Sequence, residues 1–277
     1  MAATFILGLY VAVHQKVFVE EQGIGSPDIS AIPAIVYFLA VVGVMVLVLF
    51  LIPVRKLKYV FRVIFTIMYA WGPLILIWLA WPSLNEYIVY ALALGCGLLW
   101  LFWARVWLQN LLLMISLGAM GSVFGFFFMS PWAFIIVMVV VSIYDFLAVK
   151  FGLMVWMADK LSETTTLPAF IFPKDIKDYR LSVHQFNVSD LAGTAPEKRE
   201  YSILGGGDIA FPLMLVSSTF FQKDMTAAIM VAGFAIIGLM AAYLIQIWWL
   251  KGKPMPALPP IAALSIIGYL LTNLISA

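Results

Sequence analysis

The chain has 277 residues, 64% of them hydrophobic and only 11% charged, half or less of the charge a soluble domain carries, so a water-soluble globule is excluded. Its 16 Lys and Arg against 14 Asp and Glu leave a net charge of +2, with no basic field to hold nucleic acid, which is excluded as a partner. One cysteine, Cys96, and two distant histidines, His14 and His184, cannot build a disulfide framework or a zinc centre, so no metal site is expected.

A helix needs about 20 apolar residues to cross about 30 Å of hydrocarbon. By that length the sequence predicts an all-α polytopic membrane fold with nine spans, near 1–19, 31–52, 60–81, 86–103, 107–129, 131–150, 203–221, 225–248 and 256–275. In the first, the apolar run Met1 to Val13 is followed by His14, Gln15 and Lys16, and a secretory signal peptide is the alternative reading. No Lys or Arg precedes the run, so a retained helix is expected. Basic residues accumulate on the cytoplasmic side. With the N-terminus inside and the C-terminus outside, 14 of the 16 Lys and Arg fall inside or at inner helix ends, leaving Lys16 and Lys223 outside.

The apolar pattern breaks between about Ala158 and Glu200, which hold 13 of the chain's 30 charged residues. Thr164-Thr165-Thr166 and Pro173 disfavour a continuous helix there, and a loop this long is usually functional or disordered. The expected organisation is a six-helix membrane part (1–150), a cytoplasmic polar linker (151–202) and a three-helix part (203–277). The stretch from Gly152 to Lys160 suits the inner membrane surface, and the sequon Asn187-Val188-Ser189 carries no meaning on the cytoplasmic side. No internal repeat is evident, which weakens an inverted-repeat transporter reading.

Of the 14 acidic residues, 12 belong to loops or helix ends, and the other two, Asp145 and Asp208, lie inside apolar spans, where an acid suggests function. Counting 1.5 Å per residue puts Asp145 about 9 Å from the inner edge and Asp208 about 8 Å from it. The two helices run in opposite directions, so the carboxyls can meet at one level. Such a pair holds one shared proton. Its ionised member can take a proton from water attacking a peptide carbonyl while the protonated member donates to the carbonyl oxygen. The same pair could relay protons or bind a cation in a transporter or channel, which is the alternative function.

Two neighbouring segments favour peptide hydrolysis. Asp208 follows Leu204-Gly205-Gly206-Gly207, and three glycines near a helix start cost roughly 1 kcal/mol each relative to alanine. They let another backbone approach or the helix end open, although small residues also serve plain helix packing. Four prolines in Pro254-Met255-Pro256-Ala257-Leu258-Pro259-Pro260 prevent a regular start of the last helix. The expected result is an extended segment near the depth of the acids, able to pair with an extended substrate or simply to turn the chain.

Tyr144-Asp145 in the sixth span, the GxGD pattern Gly205-Gly206-Gly207-Asp208 at the seventh and Pro256-Ala257-Leu258 at the ninth together resemble the signatures of presenilin and signal peptide peptidase, the intramembrane aspartyl proteases. Prepilin peptidases also use GxGD with a second aspartate, but the proline motif fits them poorly. The resemblance implies that Asp145 and Asp208 are the catalytic pair, that Tyr144, Gly205 and Gly207 shape the site, and that Pro256, Ala257 and Leu258 contact substrate. It implies an aspartic endopeptidase that cuts transmembrane segments of membrane proteins within the lipid bilayer and needs neither cofactor nor metal. The N-inside orientation is similar to presenilin, whereas Ile209-Ala210-Phe211-Pro212 looks more like the peptidase branch. The chain is identified as a presenilin-like homologue whose short N-terminus and compact loops fit a microbial cell membrane. A homo-oligomer is left open, as are accessory subunits and cleavage of the 158–200 loop, which occupies the place of presenilin's self-cleavage site.

Overall fold

The computed structural model describes residues 1–23, 54–128, 130–150, 169–186, 200–248 and 255–275, together with positions 36 and 40. Among them are eight α-helices: α1 (Ala2–Glu21), α2 (Val54–Ala80), α3 (Glu86–Phe102), α4 (Val106–Phe128), α5 (Pro131–Lys150), α6 (Gly207–Gln222), α7 (Met225–Trp248) and α8 (Leu258–Ile275). Six are long and apolar enough to cross a membrane: α1, α2 from Tyr59, α4 to Phe127, α5, α7 and α8. The predicted span 31–52 lies outside the described residues except for helical positions 36 and 40, as do the 152–160 segment and the sequon.

The fold is all-α as expected apart from one short antiparallel pair, β1 (Ala169–Pro173) with β2 (Tyr201–Gly205). The seventh helix therefore begins at Gly207 rather than 203, since residues 203–205 belong to β2 and the three glycines mark the change from strand to helix. Helix α2 begins at Val54, ahead of the predicted 60, so Arg55, Lys56 and Lys58 lie on its first turns and not between two spans.

By internal packing the chain forms two compact units, 1–42 with 117–147 and 207–277, and 43–116 with 148–206. In the first unit, α6 is the central element, with nine of the ten residues from Pro212 to Phe221 buried. Small residues make this possible, as is usual where hydrocarbon surrounds the helices and close packing must hold them together. A Cβ on Gly8 or Gly121 would come within 2.7 Å of the Leu213 side chain, and one on Gly125 within 2.5 Å of the Ser217 Cβ and 2.8 Å of the Ser218 backbone nitrogen. Along α1, Thr4, Phe5, Gly8, Val11 and Ala12 form one buried stripe at helical spacing, and Gln15 accepts a 3.1 Å hydrogen bond from Ser122 Oγ.

Helices α7 and α8 approach backbone to backbone: a Cβ on Gly238 would lie 2.7 Å from Ile261 Cα and 3.0 Å from the Pro260 carbonyl oxygen. At the far end of α8, Lys223 donates through Nζ to Thr272 Oγ1 at 3.0 Å and to Asn273 Oδ1 at 2.6 Å, and it stands 5.5 Å over the Tyr269 ring. That cation thus meets the last turn of α8, where carbonyls lack helical partners.

In the second unit, α2 contains Pro73, and Ser116 Oγ donates to the Met68 carbonyl at 2.9 Å, tying α4 to α2. A Cβ on Gly97 of α3 would lie 2.5 Å from the Thr66 carbonyl oxygen of α2. Residues 169–186, expected within a polar linker, are folded around Ile171, Val183 and Phe186, which pack with Val106 in a small apolar core bordered by Tyr179 and Tyr201. Pro173 ends β1 at a register position whose missing N–H faces away from β2, where proline is tolerated.

Candidate active site

Asp145 and Asp208 belong to the same compact unit. Asp145 lies five residues before the end of α5 and is half-buried, and its Oδ2 accepts a 3.4 Å hydrogen bond from the backbone N–H of Leu258. Local sequence explains why that amide is available. Leu258 is the first residue of α8, where N–H groups have no helical acceptor, and the two residues after it, Pro259 and Pro260, have no N–H at all. Those prolines lie in the first turn of α8, correcting the expectation that they prolong an extended segment. Proline disrupts a helix interior but is accommodated at its start. Only Met255, Pro256 and Ala257 remain non-helical among the described residues there, and Pro254 lies outside them. The Leu258 side chain is 2% exposed, so the residue is fixed by packing while its amide reaches the carboxylate.

Asp208 is the second residue of α6, half-buried in its first turn. Four residues on, Pro212 removes the N–H that would close a helical bond to the Asp208 carbonyl. Gly205 ends β2 and Gly207 opens α6. A Cβ on Gly207 would meet, among the described residues, only the Phe211 ring at 3.6 and 3.9 Å, an ordinary contact. No positive φ requires glycine there either, Gly23 being the one such position among the described residues. Neither internal crowding nor backbone strain thus accounts for Gly207.

Tyr144, next to Asp145, is 51% exposed, and Pro256 and Ala257 are half-buried beside Leu258. The structure therefore joins Asp145 to the Pro256-Ala257-Leu258 segment. Sequence reading missed Ser142, one turn before Asp145, whose buried hydroxyl has no hydrogen-bond partner among the described residues. Its spacing of three from Asp145 was the available signal. No three His, Cys, Asp or Glu side chains converge as metal ligands among the described residues.

A family model described as signal-peptide peptidase, presenilin aspartyl protease matches residues 6–277. Among solved structures, the chain is similar to one described as a presenilin family intramembrane aspartate protease in a C222 space group, with a TM-score of 0.63, 15% identity, and coverage of 98% of this chain and 96% of that one. At that identity the likeness concerns the fold. A search of curated proteins gave no match.

Proposed function

The chain belongs to the signal-peptide peptidase and presenilin family of aspartyl proteases, and from that premise we propose that it is an intramembrane endopeptidase using Asp145 and Asp208 to hydrolyse peptide bonds within transmembrane segments. The single observation that carries the reading is the hydrogen bond from the Leu258 amide to Asp145. It links an acid in one helix to the opening of another, as a site requires if it is to hold a carboxylate beside a substrate-guiding segment. One aspartate, ionised, takes a proton from the attacking water, and the other donates to the carbonyl oxygen as the tetrahedral centre forms. The two titrate as one unit, so the roles belong to the pair.

In this reading Tyr144, Gly205 and Gly207 border the reacting peptide, and Pro256, Ala257 and Leu258 guide it. Among the described residues only the Phe211 ring comes near a Cβ at Gly207, and a substrate backbone can occupy that space. The N-terminus is cytoplasmic and the C-terminus outside, with 1–150 and 203–277 as membrane parts joined through the polar 151–202 segment. The preferred substrate has its N-terminus outside, because reversing a strand's direction exchanges the order of its N–H and C=O groups.

The test is purified protein in vesicles with a single-span peptide inserted in either direction. Cleavage within the apolar segment, faster for the N-outside peptide, is expected. Proton or cation flux without cleavage would overturn the proposal in favour of transport, and equal rates in both directions would overturn the stated orientation or the strand guidance.

A further inference from the structure

Two buried hydroxyls of the first compact unit are satisfied within their own helices. Thr219 Oγ1 donates to the Leu215 carbonyl and Ser265 Oγ to the Ile261 carbonyl, each at 2.7 Å and each four residues back along the chain. Ser142 of α5 differs. The carbonyl four residues back belongs to Met138, yet the Ser142 hydroxyl, although buried, bonds to no group among the described residues. Ser217 and Ser218 of the same unit share that condition, but their small size has a use, because Gly125 packs against both. No described glycine has Ser142 among its nearest contacts.

Its place on the helix gives that hydroxyl a neighbour. Along α5, Ile135 and Met138 are buried and Ser142 and Asp145 half-buried, while Ile143, Tyr144, Phe146 and Leu147 are exposed. Steps of three and four residues put Ser142 on the face that carries Asp145. Residues three apart on a helix have Cβ atoms about 5 to 6 Å apart. The two side chains do not bond directly, and the interval suits one water hydrogen-bonded to both, at about 2.8 Å for each bond. A buried water needs at least two polar partners. A hydroxyl can donate and accept, and a carboxylate accepts at about four positions, of which the Leu258 N–H takes only one.

We infer that Ser142 binds the attacking water of the proposed reaction, its hydroxyl and the Asp145 carboxyl holding that water between them. The water directs one O–H to the carboxyl pair and the other to Ser142 Oγ, which leaves a lone pair for the peptide carbonyl carbon. As the new C–O bond forms, the first O–H breaks and its proton passes to the ionised member of the pair, while the protonated member donates to the carbonyl oxygen. The second O–H stays intact as a hydroxyl of the tetrahedral centre, and Ser142 neither gains nor loses a proton. A buried hydroxyl without a protein partner lowers stability, so a role in the reaction accounts for its presence. The inference rests on the protease reading and adds to it the group that orients the water.

The experiment compares Ser142→Ala and Ser142→Thr with the wild type, as full chains in vesicles, by kcat and KM on a single-span peptide and by melting temperature. Because the hydroxyl holds no protein group, alanine should leave the melting temperature unchanged or raised. Its kcat should nevertheless fall by about tenfold or more, with KM within about twofold. Threonine keeps the hydroxyl and should hold kcat within about threefold of the wild type. Full kcat in Ser142→Ala would overturn the inference. So would a melting temperature that falls in step with activity, an alanine variant that does not fold, or a threonine variant as slow as alanine. A wild type that cuts no spanning peptide overturns the protease reading and the role of Ser142 with it, whereas an active wild type with an equally active alanine variant overturns this inference alone.

Discussion

Helix α6, with Asp208 in its first turn, is buried along most of its length and meets Gly8, Gly121 and Gly125 at distances that leave no room for a methyl group. The half of α5 around Asp145 instead exposes Ile143, Tyr144, Phe146 and Leu147, and its acid is joined to the rest of the site by one 3.4 Å hydrogen bond to Leu258. Protein interiors packed this closely yield only at a cost in free energy, whereas a single hydrogen bond contributes about 1 kcal/mol net, or somewhat more to a charged group. The helix that carries one acid is therefore held by bulk packing, while the other acid is tied by a contact that can be remade. In the proposed reaction, a site that admits a helix and releases fragments uses one wall of each kind.

The largest effects should come from the acids themselves. Asp145→Asn and Asp208→Asn should each lower kcat/KM at least about a hundredfold, with the helical circular dichroism retained; full cleavage by either, contaminating protease excluded, would remove that residue from the pair. Next comes the compliant wall. Leu258→Ala and Leu258→Pro both delete the buried side chain, but only proline deletes the N–H, and a first-turn proline is compatible with the helix. The proline variant should be about tenfold slower than the alanine variant. Equal rates would show that the Leu258 amide does not act on Asp145.

Alanine at Gly125 and at Gly238 separates the two walls further. Each should destabilise by about 1 to 3 kcal/mol through overpacking, read as a lower melting temperature. Gly238→Ala pushes on the first turn of α8 and should also lower kcat in the folded fraction, an effect absent from Gly125→Ala if α6 resists as a unit. The smallest change is expected for Gly207→Ala, whose new methyl group meets, among the described residues, only a ring edge: unchanged melting temperature with slower cleavage is predicted, and unchanged cleavage would free that glycine from any role in substrate contact. In the wild type and the glycine variants activity should follow a bell in pH, since acid fills both carboxyls and base empties both, and a flat profile would argue against a coupled pair.

The helices were legible because apolar length is a local signal: the predicted limits 131–150 and 225–248 coincide with α5 and α7. The acids stood out for the same reason, as charges amid apolar residues. Strands β1 and β2 were missed because their pairing joins Ile171 to Ile203 and neither five-residue run carries enough alternation to declare itself. The contact of the Asn110 side chain with the Ile171 backbone was not legible because 61 residues separate the two, a distance no window spans. The start of α8 was misjudged by treating four prolines alike, although Pro259 and Pro260 lie in the helix's first turn, where proline is accommodated.

The clamp of Lys223 on Thr272 and Asn273 makes α8 mechanically lopsided. From Thr272 to Leu258 is 14 residues, about 21 Å of nearly rigid rod, gripped at one end and resting near the other on the close contact with Gly238. A tilt of such a rod about the clamp would move its far end most. Tilting it by about 3° swings the Leu258 amide through about 1 Å, which is sufficient to carry a 3.4 Å hydrogen bond beyond the range in which it counts as one. The clamp and the amide that meets Asp145 are thus at opposite ends of one helix, so a change of tilt at the first would register at the second.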